Sequence, residues 1–138
     1  MGFLGGLFKK QSNVDPLDAL REKVDANPKD ARLAQDLAAQ LKAKGDLVGA
    51  IEYSRRAAQA HKANGFLQKA LAVLKSAQAW DVPTPELLNE LSEIYLELKH
   101  KEDARGTLVK LRQLQANTGN MEELKRIDAK ISELGPGR

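Results

Sequence analysis

Lys44-Gly45-Asp46-Leu47-Val48-Gly49-Ala50-Ile51-Glu52-Tyr53-Ser54-Arg55-Arg56-Ala57, or KGDLVGAIEYSRRA, decides how the chain is read. Its grammar is a turn, an apolar residue, two variable residues, an alanine and another apolar residue. The same grammar returns in Asn64-Gly65-Phe66-Leu67-Gln68-Lys69-Ala70-Leu71, with the two turn glycines 20 residues apart. A glycine just past an apolar run at helical spacing is a helix stop, because it accepts the left-handed backbone that closes the last turn. The stretch therefore ends one helix and starts another.

Working outward, the same logic divides the rest of the chain. Asp15 and Pro16 open the first helix as cap and first helical residue, with Asp18 near its positive end and Leu17, Leu20 and Val24 as its apolar stripe. A second helix is expected from Pro28 to Lys44, with Leu33, Leu37 and Leu41 inward. The third follows Asp46 and runs to about Ala63, with Ile51, Ala57, Ala58 and His61 on or near its inner faces. The fourth runs from Phe66 to Trp80 and buries Leu67, Ala70, Leu71, Leu74 and Ala77. DVPTP is the clearest break; Thr84 can cap a fifth helix that begins at Pro85 and carries Leu88, Leu91, Tyr95 and Leu98. A sixth begins near Lys101 with Ala104, Leu108, Leu111 and Leu114 inward. After ANTGN, Asn120 and Glu123 make a capping pair for a seventh at 121–134. No stretch reads as a strand.

Composition agrees. In 138 residues, 42% are hydrophobic but only 4% aromatic, and alanine and leucine dominate, which suits closely packed helices better than sheets. The length suits one domain with a single core. There is no cysteine, so disulfides and thiolate metal sites are excluded. The net charge of +3 is too mild to argue for nucleic acid, and no apolar run has the length of a membrane span.

Enzyme chemistry finds no foothold. The two histidines, His61 and His100, stand apart with no second ligand at i+4. The glycines form neither a dinucleotide-binding nor a phosphate-loop motif, and no serine sits in a nucleophile elbow. No catalytic, cofactor or metal residue is assigned.

Leu88-x-x-Leu91-Ser92-x-x-Tyr95, followed by Ala104 and Leu108, resembles the tetratricopeptide repeat (TPR) pattern Trp-x-x-Leu-Gly-x-x-Tyr … Ala-x-x-x-Phe. KGDLVGAIEYSRRA resembles that family's central turn and second helix, with Leu37, Ala38 and Leu41 at first-helix positions and Ala50, Ser54 and Ala57 at second-helix positions. The resemblance covers residues 28–115, with the Trp and Phe positions filled by smaller or aliphatic residues. It implies an all-α, TPR-like α-solenoid of six to seven helices in antiparallel pairs. A TPR unit holds two helices in about 34 residues. The 20 residues from Gly45 to Gly65 hold only one, so the third helix is expected to be shared between two pairs.

The resemblance also implies a non-catalytic scaffold or adaptor that binds a protein or peptide segment on a concave helical face. Glu86, Glu90, Glu93 and Glu97 lie on one face of the fifth helix, at or beside the positions that line the TPR groove. They imply an acidic wall favouring a basic partner, with Asn89 placed to hydrogen-bond a peptide backbone. A carboxylate clamp is not expected, since Gln35 and Ala39 stand where Lys and Asn would be wanted. Basic residues gather elsewhere, among them Arg55, Arg56, Lys62, Lys69 and Lys75, and could steer an acidic partner. With so few aromatics to stack on bases, specific nucleic-acid binding is not expected.

The domain is expected over 15–134, with a disordered tail at 135–138 and a flexible segment at 1–14. In the latter, Phe3, Leu4, Leu7 and Phe8 would cluster on one side of a helix ahead of Lys9 and Lys10. That pattern suits docking to a partner or peripheral membrane contact, which gives the alternative reading of a membrane-peripheral adaptor. A self-associating, homo-oligomeric subunit is a further alternative. The expected location is the cytoplasm, including the inner face of a membrane.

Overall fold

Three aspartates start helices by the same device. Asp15, Asp30 and Asp46 each accept a hydrogen bond from a first-turn backbone N–H, of Leu17 at 2.9 Å, Leu33 at 3.2 Å and Gly49 at 2.9 Å. In the computed structural model, which describes residues 15–82 and 84–136, these caps open α1 (Pro16–Ala26), α2 (Ala31–Ala43) and α3 (Leu47–Ala63). Then follow α4 (Leu67–Gln78), α5 (Pro85–Glu97), α6 (Lys101–Thr118) and α7 (Met121–Glu133). The described residues are thus all-helical, seven helices with no strand.

Three helix starts differ from expectation, one in its boundary and two in their capping, for local reasons. The second helix begins at Ala31 and not Pro28, because the Asp30 side chain is the cap and Pro28 lies in the preceding turn. Thr84 occupies the cap position of α5, but its hydroxyl donates to the Val82 carbonyl at 3.2 Å and caps nothing. Asn120 does cap α7, accepting from the Glu123 N–H at 3.2 Å. The Glu123 carboxylate turns to the Arg126 guanidinium, 2.7 Å away, so only half of the capping box forms.

Three of the helices end alike. After α2, the Gly45 N–H reaches the Lys42 carbonyl at 2.9 Å and the Asp46 N–H reaches Leu41 at 2.9 Å. After α3, Gly65 reaches Lys62 at 3.0 Å and Phe66 reaches His61 at 2.8 Å. After α5, Lys99 reaches Leu96 at 3.1 Å and His100 reaches Tyr95 at 2.8 Å. Each is a Schellman closure, and each needs a left-handed residue, supplied at φ 85° by Gly45, 84° by Gly65 and 66° by Lys99. Five residues beyond each stand Ala50, Ala70 and Ala104, all fully buried. A methyl group there lets each helix approach its predecessor closely; a longer side chain would hold the two apart.

Successive helices pack against each other along the chain, most extensively α2 on α3, α5 on α6 and α3 on α4. The core divides accordingly. Leu17, Val24, Leu37, Leu41, Ala50 and Ala57 form one cluster. Ala58, Leu74, Leu87, Leu91, Ile94 and Ala104 belong to a second, and Leu108, Leu111 and Ile127 form a third. Ala57 and Ala58 are neighbours in sequence yet serve different clusters, so α3 is buried on two sides. The fifth helix is apolar over a wider arc than the expected stripe: Leu87 and Ile94 are buried, and Leu88 turns to pack on the third cluster.

Candidate functional site

The glutamate stripe of α5 faces α3. Arg55 and Lys62 stand seven residues apart on α3, as do Glu90 and Glu97 on α5. The matched spacing pairs them rung by rung: Arg55 Nη2 lies 2.6 Å from Glu90 Oε1, and Lys62 Nζ lies 2.7 Å from Glu97 Oε1. Gln59, between the two cations, donates to Glu90 Oε1 at 3.3 Å. The Glu97 carboxylate raises the Lys62 pKa, chiefly through this hydrogen bond and against the effect of partial burial. The Arg55–Glu90 rung is the more enclosed, with side chains 25% and 19% exposed, against 43% and 42% for Lys62 and Glu97.

Asn89 is also engaged. Its amide donates to Glu93 at 3.1 Å, and its carbonyl oxygen accepts from Arg126 of α7 at 3.3 Å. Glu86 is exposed in the first turn of α5, where a carboxylate complements the positive helix end. The five residues read from the sequence are therefore on one helix face, but two of the four glutamates are already balanced by cations from α3. The matched spacing of Arg55/Lys62 with Glu90/Glu97 is the signal that sequence reasoning could have used. Phe3, Leu4, Leu7, Phe8, Lys9 and Lys10 lie outside the described residues.

These contacts join alternate helices. Arg56 of α3 meets Asp25 of α1 at 2.7 Å, α3 meets α5, and α5 meets α7, all across 31 to 37 residues of sequence. Helices α2 and α4 are bridged differently. Lys42 of α2 places its ammonium 5.2 Å from the ring centroid of Trp80, just beyond α4. Between α2 and α4 runs an open groove of about 660 Å³. Ser54 of α3 lines it together with the small side chains of Ala38, Ala39, Ala72 and Ser76. Gln35 also lines it and hydrogen-bonds His61 at 3.0 Å. Desolvation and the nearby Lys69 lower the His61 pKa. This groove is not legible from sequence, because nothing in the alanine pattern of α2 shows which alanines meet α3 and which line open space.

Among the described residues, no group of three or more His, Cys, Asp or Glu is placed to hold a metal ion, and no helix is long and apolar enough to cross a membrane. No protein-family model matches the chain, and no curated protein matches it.

Proposed function

We propose that the chain is a TPR-like α-solenoid that works as a non-catalytic protein–protein interaction module, offering grooves between alternate helices to a segment of a partner. The observation that carries this reading is the recurrence of one unit: Schellman turn, five residues, fully buried alanine, at Gly45–Ala50, Gly65–Ala70 and Lys99–Ala104. Recurring closures and close-packed helix pairs are how repeat proteins build extended binding surfaces from short units. The cross-links at 31 to 37 residues fit a repeat of about 34 residues, within which every second helix meets its counterpart.

The choice of partner follows from where charge is left over. The α5 stripe was expected to favour a basic segment, but Arg55 and Lys62 already answer Glu90 and Glu97. The binding reading therefore rests on the grooves themselves and not on the stripe.

Affinity capture with the full chain, followed by reconstitution from purified components, tests the reading. A saturable complex of fixed stoichiometry is expected. Its absence with every captured candidate, or turnover of a small molecule by the purified chain, would overturn it.

A further inference from the structure

We infer that the face made by α2 and α4 receives an acidic amphipathic helix of a protein partner, its apolar side seated in the groove between them. This rests on the interaction-module reading and adds where the partner sits and what chemistry it carries.

Charge is the first argument. Along α2 and α4 the cations are Arg32, Lys42, Lys69 and Lys75, and the one carboxylate is Asp36. All four cations are exposed, and among the described residues none takes part in an ion pair. The contrast with α5 is direct. That helix carries four glutamates and no cation, yet two of them, Glu90 and Glu97, are answered by α3. Half of the α5 charge is thus balanced within the protein, while the positive charge on the α2–α4 face is left toward solvent, where it attracts and orients an acidic partner.

Shape is the second argument. Ala38, Ala39, Ala72 and Ser54 leave space for the bulky residues of an incoming helix, and Trp80 gives its apolar side chains an aromatic wall. The Lys42 ammonium over the Trp80 ring holds a cation at the rim, beside the position an acidic residue of the ligand would take. Other occupants fit less well. The chain's own Phe3–Phe8 segment is followed by Lys9 and Lys10, the same sign as this face. The α5 glutamates of a second copy are partly balanced by its own α3. Nucleic acid would find one aromatic where stacking needs a row.

Trp80 is the only tryptophan in the chain, so its emission reports on the groove directly. The probes are two synthetic amphipathic peptides of about 15 residues, long enough to hold a helix on binding. Both carry Leu and Phe on one face; one carries Glu on the other face and its twin carries Lys. The Glu peptide should shift Trp80 emission saturably, and the Lys peptide should not. Lys75→Glu combined with Arg32→Glu, at two exposed positions, should weaken the Glu peptide at least about tenfold, and added salt should weaken it further. Ala39→Phe, on the exposed groove wall, should block binding without changing charge. The inference is overturned by equal or tighter binding of the Lys peptide or by unchanged affinity in either variant. It is equally overturned if there is no saturable response up to about 1 mM, the weak end of specific recognition, or if a single-stranded oligonucleotide binds and loses affinity in the same variants. If a reconstituted partner complex ignores both variants, the module reading stands and this placement falls.

Discussion

Arg55 and Glu90 are 35 residues apart in sequence, yet the guanidinium donates two hydrogen bonds to one carboxylate oxygen, Nη2 at 2.6 Å and Nε at 3.0 Å. The other oxygen, Glu90 Oε2, is buried without a hydrogen-bond partner. The pair spends one acceptor fully and leaves the second unmet. Removing one member therefore differs sharply from removing both. Arg55→Ala strands a largely buried carboxylate and should cost about 2–3 kcal/mol, while Arg55→Met with Glu90→Met should come out near neutral. Urea denaturation of Arg55→Met, Glu90→Met and the double variant gives the coupling energy. The exposed Lys62–Glu97 rung should yield well under about 1 kcal/mol in the same experiment.

Lys99 supplies the left-handed turn residue after α5 that Gly45 and Gly65 supply elsewhere. A Cβ disfavours this conformation, so Lys99→Gly should stabilise the protein by up to about 1 kcal/mol and raise Tm by about 2–5 °C. Nothing lies within 4 Å of a Cβ added at Gly45, so Gly45→Ala tests the backbone term alone and should cost about 1 kcal/mol. Equal Tm values for wild type and Lys99→Gly would mean that the lysine backbone carries no strain.

Helix identity was legible from sequence because its signals are local. Asp15 caps as read, Gly45 and Gly65 stop helices as read, and Ala50, Ala70 and Ala104 are buried as their position after each turn suggested. The turn near Lys99 is legible too, but not its left-handed backbone, since a lysine carries no sequence signal for positive φ. The partners of the α5 stripe were hidden for a different reason. Helical spacing puts four glutamates on one face but does not say what that face meets, and the answering cations come from α3. The same limit applies to Ala39 and Ala58: both are alanines on helices, one exposed in a groove wall and the other buried in the core.

His61 gives the fold a mild acid sensitivity. Desolvation, reinforced by Lys69, lowers its pKa in the folded protein below the ordinary value of 6.5. The unfolded chain therefore takes up a proton first, and stability falls as pH drops below about 6.5, levelling out once the folded state is also charged. Above that range His61 is neutral in both states and contributes no slope. His61→Gln should flatten this part of the stability curve while keeping a side chain able to hydrogen-bond Gln35. Chemical denaturation midpoints measured between about pH 5 and pH 8 check it, since that is where an ordinary histidine titrates; parallel curves for wild type and variant would refute the assignment.

Ala57 and Ala58 allow the sharing of α3 to be tested directly. Ala57 is fully buried in the cluster with Leu37, Leu41 and Ala50, while Ala58 is 2% exposed in the cluster with Leu74, Leu91 and Ala104. Leucine at either site adds methylene groups to a close-packed contact and should cost about 1–3 kcal/mol. The locations of the two defects should nevertheless differ. If stability is passed between neighbouring helices, Ala57→Leu should speed amide exchange mainly in α1 and α2, and Ala58→Leu mainly in α4 and α5. Hydrogen exchange resolved by peptide distinguishes the cases. The same exchange pattern in both variants would mean that α3 belongs to one cooperative core and not to two adjoining ones.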